Sequence, residues 1–221
     1  MKQFRVFLIL LFSFCASCCF ADDSWYLVAG ENTMTVRGLE PPSRLEKVIL
    51  GTPGIVGSST TDSTSSFNSV GVGKCTAPYF CIEAVYLWGA KVSRTISIDS
   101  SNLGIISVGG VLVDTSQIPT LTLRQEATLS ALQLSMLGKA PVTSWLDAFA
   151  RFGLCDYRIG LVSSVQLYQN IALEEESEES GISPTLSLGF DVKPFDGVNV
   201  RVEGYKTKRA SVFSVALVYK F

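Results

Sequence analysis

Along the C-terminal stretch SVFSVALVYKF, Phe213, Val215, Leu217, Tyr219 and Phe221 share one parity, while Val212, Ser214, Ala216, Val218 and Lys220 share the other. Successive strand side chains point to opposite faces, so the stretch predicts a two-sided strand with one large apolar face. The alternation recurs upstream. GVNVRVEGYK sets Val198, Val200 and Val202 against Asn199, Arg201 and Glu203. GISPTLSLGFDV sets Ile182, Leu186, Leu188, Phe190 and Val192 against Ser183, Thr185, Ser187 and Asp191. TSWLDAFARFGL sets Leu146, Ala148, Ala150, Phe152 and Leu154 against Asp147, Phe149 and Arg151. YFCIEAVYLWGAK sets Phe80, Ile82, Ala84, Tyr86, Trp88 and Ala90 against Cys81, Glu83 and Lys91. SWYLVAGEN and FNSVGVGKC are weaker runs of the same kind. LTLRQEATLSALQLSML completes eight: Thr122, Arg124, Glu126, Thr128 and Ser130 alternate with Leu123, Ala127, Leu129 and Ala131, although helix remains an alternative here.

The connections fall into two classes. Residues 75–79, 137–143 and 193–198 are short and contain Pro, two of them with Gly as well, as turns require. Residues 34–66, 92–120 and 155–180 are long and polar, and the connection around 207–210 is short. Turn-like and long connections alternate along the chain. An up-and-down transmembrane barrel has this arrangement, with tight turns on one side of the membrane and longer loops on the other, and an even strand count brings both termini to the turn side.

Composition agrees. Hydrophobic residues make up 47% of the chain and charged residues only 17%, whereas soluble domains carry about 25% charged residues. The mean hydropathy is +0.33. The start, MKQFRVFLILLFSFCASCCFADD, combines Lys2 and Arg5, an apolar run from Val6 to Phe14, and small residues up to Ala21. These are the parts of a secretory signal peptide cleaved after Ala21, leaving residues 22–221 as one domain. The run is short for an uncleaved membrane anchor, and Cys15 stands where a lipoprotein signal would carry Leu. Beyond it no run is long and apolar enough for a membrane helix. For an exported chain of this composition the remaining membrane solution is a closed barrel, which satisfies every backbone group. Loss of Lys2 and Arg5 leaves 16 basic residues against 20 acidic ones, which argues against nucleic acid as a partner.

SWYLVAGE, IEAVY, APVTSWLDAFARFGL, SGISPTLSLGFDV, VNVRVEGY and SVALVYKF together resemble the eight-stranded outer-membrane barrels of the OmpA-like and opacity-protein group, from Trp25 to Phe221. The resemblance implies an all-β, eight-stranded antiparallel barrel in the outer membrane of a Gram-negative bacterium, most simply a monomer in contact with outer-membrane lipid. It also implies that the terminal aromatics Tyr219 and Phe221 are part of the signal read by the barrel-assembly machinery, and that the loops serve adhesion or antigenic display towards a host or envelope ligand. No peptidoglycan-binding domain follows the barrel in this sequence, so the resemblance does not extend to wall anchoring.

The charged residues supply the candidate chemistry. Glu83, Arg124, Glu126, Asp147, Arg151, Asp191, Arg201, Glu203 and Lys220 fall on the parity opposite the apolar stripes. Eight strands leave an interior that side chains fill, so these charges are expected to pair across the lumen as a plug. A narrow channel gated by rearranging pairs is the functional alternative. The chain contains no histidine, which removes the commonest proton shuttle near neutral pH and with it the mechanisms that use histidine as general base; Ser–Lys or paired-carboxylate chemistry stays open but has no supporting motif, so no enzyme is expected. No catalytic, cofactor or metal motif stands out. EEESEES at 174–180 is expected as a solvated acidic loop, with a divalent-cation or basic-partner site as the alternative although it lacks a calcium-loop signature, and GSSTTDSTSS at 57–66 as a mobile surface segment. Of the three cysteines beyond Ala21, Cys75 and Cys81 flank the first turn, close enough for a hairpin disulfide if register allows, and Cys155 belongs to the other end. A free or buried thiol is the simpler expectation for each, and the odd count leaves cross-linking to another envelope protein as an alternative. Trp25, Trp88, Trp145, Tyr26, Tyr79, Tyr86 and Tyr219 suit aromatic girdles. A secreted, lipocalin-like carrier would reverse the faces, with charges outward and apolar stripes around a ligand.

Overall fold

The structure is a computed structural model and describes residues 24–36, 57–99, 104–108, 110–114, 120–168, 171–206 and 210–221. The expected signal peptide, residues 1–21, lies outside the described residues, as does 37–56 of the first long connection. The described residues form strands and turns throughout: β1 (Ser24–Val36), β2 (Gly57–Asp62), β3 (Thr64–Ala77), β4 (Phe80–Asp99), β5 (Ile105–Val108), β6 (Val111–Asp114), β7 (Thr120–Thr143), β8 (Leu146–Tyr168), β9 (Ile171–Phe195), β10 (Val198–Lys206) and β11 (Ala210–Lys220).

Strands β3, β1, β11, β10, β9, β8, β7 and β4 pair as antiparallel neighbours in that order, and β4 pairs with β3 to close the ring. Eight strands therefore make the barrel. Segment β2 prolongs the line of β3 past Ser63, and both lie against β4. The seam between first and last strands runs from Tyr26↔Lys220 to Val36↔Ala210, and the Phe221 amide adds a bond to the Trp25 carbonyl at 3.0 Å. Closure of this kind removes the unpaired edges that a membrane core would penalise.

Three tight turns mark one end, at 78–79, 144–145 and 196–197. The second lies later than its residues suggested, because β7 continues through Pro141 to Thr143. Pro141 is tolerated there since the recorded β4 pairing stops at Gly138, so no ladder bond to β4 is lost. Helix is excluded for 121–137, which is strand throughout.

The other end departs most from the sequence reading. Residues 92–99 and 120 belong to β4 and β7, which stay paired to Asp99↔Thr120, and Ile105–Asp114 contains the hairpin β5–β6. Residues 155–180 are not a loop either: β8 and β9 stay in register up to Tyr168↔Ile171, and EEESEES lies within β9. The stretch at 57–66 is strand in β2 and the start of β3. Polar composition suggested loops, but a strand whose outer face meets water is also polar.

The outer surface of the barrel carries a continuous apolar belt. Leu27 and Ala29 (β1), Val70 and Val72 (β3), Ile82 to Trp88 (β4) and Leu132 to Met136 (β7) supply the outward positions on one half. Leu146 to Leu154 (β8), Ile182 to Val192 (β9), Val198 to Val202 (β10) and Phe213 to Tyr219 (β11) complete it. Large side chains stand in the open, Leu188 at 66% and Leu217 at 59% exposure. Soluble monomers do not expose patches of this extent. From Leu146 to Leu154 the belt runs roughly 26 Å along the strand and, with a tilt near 45°, roughly 20 Å in height, close to a bilayer's apolar band. The fold is a transmembrane β-barrel.

Aromatic residues rim the belt. Tyr86 and Trp88 stack at 5.7 Å on one rim, and Trp25, Tyr79, Trp145, Tyr219 and Phe221 are exposed at the turn end. Tyr26 is the exception: it points inward and is fully buried, one position out of phase with Trp25.

Candidate functional site

The lumen is filled in three layers. On the turn side, Tyr26, Val28, Cys75, Cys81, Leu137, Phe149, Ala216 and Val218 form an apolar cluster. Cys75 and Cys81 are joined by a disulfide and Cys155 is a free thiol. Gly73 makes room here, because a Cβ at that position would fall on the Tyr26 ring. At the far end of the belt Met34, Phe67, Val85, Leu87, Ala90, Val92, Ala131, Ala210 and Val212 form a second apolar cluster.

Between them lies a charged layer. Glu83 is its centre: Arg151 Nη2 donates to its Oε1 at 2.6 Å and Arg201 Nη1 to its Oε2 at 2.6 Å. Arg151 Nη1 also reaches Glu203 at 3.0 Å. Arg201 binds Asp191 through Nε at 2.8 Å and Nη2 at 3.3 Å, and Lys139 Nζ donates to the same carboxylate at 3.0 Å. Arg201, 1% exposed, lies 5.0 Å from the Phe149 ring centroid and 5.9 Å from that of Tyr26. Nearer the mouth, Lys193 pairs with Asp147 at 2.6 Å. Gln133 Nε2 donates to Thr185 Oγ1 at 3.1 Å in the same interior.

Strand parity alone carries these groups inward. Glu83 comes from β4, Arg151 from β8, Asp191 from β9, and Arg201 and Glu203 from β10, so distant parts of the chain meet only because the ring closes. Each inward guanidinium finds two carboxylates, which matches the planar fork of Arg. Three carboxylates (Glu83, Asp191, Glu203) face three cations (Arg151, Arg201, Lys139), so the layer is neutral, the condition under which buried charge is tolerable. A cavity among them, bordered by Glu83, Arg151, Arg201, Glu203 and Tyr205 among others, measures ≈ 20 Å³. That holds one water.

Of the sequence candidates, Glu83, Asp147, Arg151, Asp191, Arg201 and Glu203 are inside the barrel and ion-paired. Lys220 is half-buried on the inward parity at the turn end. Arg124 and Glu126 are not in the lumen: they project outward from β7, 64% and 52% exposed, and pair with each other at 2.8 Å. Lys139, Lys193 and Tyr26 belong to the interior and were missed. Lys139 and Lys193 lay in segments read as turns, and Tyr26 sits between Trp25 and Leu27, so its aromatic character suggested a girdle.

Arg124 and Glu126 are misplaced by parity for a physical reason. On β7 the outward positions read Met136, Leu134, Leu132, then Ser130, Thr128, Glu126, Arg124, while the inward ones run Lys139, Leu137, Ser135, Gln133, then Ala131, Leu129, Ala127, Gln125, Leu123, Leu121, mostly polar before the change and mostly apolar after it. Polar and apolar faces exchange between Leu132 and Ser130. On β8 the outward change comes between Leu154 and Asp156, and on β9 between Ile182 and Ser180. These are neighbours in register, since Leu132 faces Asp156, Asp156 faces Ile182, Ser130 faces Arg158, and Arg158 faces Ser180. Strand β4 changes at the same level, between Trp88 and Lys91. The exterior of these strands thus changes from apolar to polar within about one cross-strand pair of a common register, and the sheet of β2, β4, β7, β8 and β9 continues beyond it with a polar exterior.

By sequence the chain matches no protein-family model and no curated protein. Among solved structures it is similar to Ail, the attachment invasion locus protein of Yersinia pestis, solved in complex with the heparin analogue sucrose octasulfate, at 8% identity and a TM-score of 0.47, covering 91% of this chain and 100% of that one. It is also similar to the outer membrane protein OprG from Pseudomonas aeruginosa, at 9% identity and a TM-score of 0.44, covering 90% of this chain and 96% of that one. A de novo designed transmembrane β-barrel matches at 12% identity and a TM-score of 0.44, covering 91% of this chain and 98% of that one.

Proposed function

We propose that the protein is a closed outer-membrane barrel that acts in surface recognition, holding a water-exposed β-sheet on a plugged transmembrane stem. The observation that carries this reading is the exchange of polar and apolar faces near a common register on β4, β7, β8 and β9. A chain that used only its lumen would have no need to extend four strands into water. In this reading residues 1–21 direct export, the tight turns and both termini face the periplasm, and the extended sheet faces outward to a host or envelope ligand. Tyr219 and Phe221, exposed and stacked at 6.3 Å at the strand end, serve as the aromatic signal for barrel assembly.

The filled lumen separates this reading from the channel alternative. Ion flow would require the charged pairs and two apolar layers to rearrange together, starting from a cavity of ≈ 20 Å³. Purified protein in planar bilayers is expected to give no steps of conductance. Maleimide labelling of Glu178→Cys in a Cys155→Ser background should succeed on intact cells. Steady single-channel currents would favour the channel, and failure to label intact cells while detergent-released protein labels would defeat the outward orientation.

A further inference from the structure

One cation of the lumen is left without a counter-charge. Glu83, Asp191 and Glu203 balance Arg151, Arg201 and Lys139 in the middle layer, and Asp147 pairs with Lys193 at 2.6 Å. Lys220 remains. It lies half-buried on the inward parity at the turn end, and among the described residues its ammonium makes neither a hydrogen bond nor an ion pair. The charged groups that face it are Lys139, Lys193, Asp191 and Asp147. Both carboxylates are already engaged, Asp147 by Lys193 and Asp191 by Arg201 at 2.8 Å and Lys139 at 3.0 Å. A partly buried cation beside two further ammoniums is costly unless an anion joins it.

A second group points to the same place. Asn199 of β10 is 2% exposed, and its Nδ2 has no hydrogen-bond partner among the described residues. Buried amide donors are ordinarily bonded, so this one calls for an acceptor. Register sets it among the lysines. On one side Asn199 faces Val218, one inward step from Lys220, and on the other the irregularity of β9 between Val192 and Phe195 contains Lys193. Ammoniums from β7, β9 and β11 and an amide N–H from β10 therefore meet at this mouth. A planar carboxylate is best matched by the fork of arginine, and both lumen arginines are spent deeper inside. Ammoniums brought from separate strands act as point charges, which suits a compact tetrahedral oxyanion with several acceptors.

We infer that the turn-side mouth of the lumen binds a phosphate group, which accepts from Lys220 Nζ and Asn199 Nδ2 in the field of Lys139 and Lys193. The inference does not rest on the recognition reading, because this mouth lies at the opposite end of the barrel from the extended sheet. The group is supplied either by free phosphate or by the phosphodiester of a lipid headgroup folded over the aromatic rim.

The test uses the full chain in neutral detergent micelles, dialysed to equilibrium against radiolabelled inorganic phosphate at constant ionic strength set with chloride. Phosphate should bind, and Lys220→Gln should weaken it by about tenfold or more, the loss expected for a hydrogen bond between charged groups. Asn199→Leu should weaken it by about fivefold, as for a neutral donor, and leaves the last strand untouched. Arg158→Gln, outward on β8, should bind like the parent. Every variant is first checked for heat-modifiable migration. In a second arm a fluorescent phosphatidylglycerol is titrated into the same micelles and followed by energy transfer from Trp25 and Trp145. Binding of the lipid alone, lost in Lys220→Gln, would support the site and assign it to a headgroup. Binding of neither probe, or binding that both Lys220→Gln and Asn199→Leu leave unchanged, would overturn the inference.

Discussion

Glu83 is the residue on which the charged layer turns, and its removal gives the sharpest test of how the lumen is held. It accepts two charge-assisted bonds of 2.6 Å, from Arg151 and Arg201. In Glu83→Ala each arginine keeps a second carboxylate, Glu203 or Asp191, but the neutral layer becomes cationic by one charge in a space that admits one water. Breaking a buried ion pair from one side costs about 3–5 kcal/mol. Equilibrium unfolding in urea from micelles, followed by the fluorescence of the belt tryptophans, should show a loss of that size. The double variant Glu83→Ala/Arg151→Met restores neutrality, with Asp191 and Glu203 against Arg201 and Lys139. It should therefore be less destabilised than the sum of its singles, by a coupling of about 1–3 kcal/mol. A Glu83→Ala protein within about 0.5 kcal/mol of wild type, the range of an ordinary surface substitution, would refute the layer as a stabilising unit. Strict additivity of the two substitutions would refute the pairing argument.

The same variant bears on the plug. Removing a carboxylate enlarges the middle layer only, and the apolar clusters on either side are untouched. Glu83→Ala in planar bilayers should stay closed. Conductance appearing on this single change would mean that the ion pairs alone close the lumen.

Other consequences are more local. Leu217→Arg, at an outward belt position, should cost about 2–4 kcal/mol if it lies near the bilayer midplane, whereas Thr128→Arg, outward but above the belt, should stay within about 0.5 kcal/mol. Equal effects of the two by urea titration would deny the lipid–water boundary between Leu132 and Ser130. Gly73→Ala would drive its methyl onto the Tyr26 ring, and the overpacking should lower stability by about 1–3 kcal/mol; a neutral result would mean that the ring has room to move. Unfolded, unreduced mature protein should take up one equivalent of iodoacetamide, at Cys155, and three after reduction, and three before reduction would refute the Cys75–Cys81 link. Deletion of Gly89 should abolish the heat-modifiable form, while Gly89→Ala, strained by a φ of +90°, should cost about 1–2 kcal/mol; a deletion variant that still resists SDS would disprove the phase argument below.

The eight strands were legible because lipid and a filled lumen impose opposite demands on alternate residues, as in Phe213 to Phe221. Glu83, Arg151, Asp191, Arg201 and Glu203 were legible for the same reason: each is a charge on the small-residue parity of a greasy strand. Their partners were not. Which carboxylate meets which arginine depends on closure between strands far apart in sequence, and Lys139 and Lys193 sit beside Pro and Gly in stretches whose local chemistry signals turns. Extending that parity rule to β7 misplaced Arg124 and Glu126, since it presumes one surrounding medium along the whole strand. The loops at 155–180 and 57–66 failed for a related reason: the Glu run of the one and the Gly and Asp of the other are depleted in strands, but tertiary pairing with β8 and β4 overrides that preference.

The chain meets the lipid–water boundary by two different devices. Strand β7 keeps its geometric phase and changes its residues: Leu134, Leu132, Ser130 and Thr128 all point outward, and only their chemistry changes. That exchange interrupts the period-2 pattern around Ser130 and Ala131, and it is why the segment also reads as a helix. Strand β4 changes its phase. Glu83, Val85 and Leu87 point inward on odd positions, and beyond the bulge it is Ala90, Val92, Ile96 and Ile98 that point inward, on even ones. Gly89 supplies the left-handed φ that an extra residue in an antiparallel pair demands. Without it Lys91 would turn towards the apolar cluster of Leu87 and Val92, and Ala90 towards water, because a shift of one residue reverses every side chain. Both devices act at one level, at Leu129↔Ala90. Two neighbouring strands that reach the same outcome by unrelated means are better explained by a common external constraint than by either sequence alone, and the bilayer surface is the constraint that a belt of this height implies.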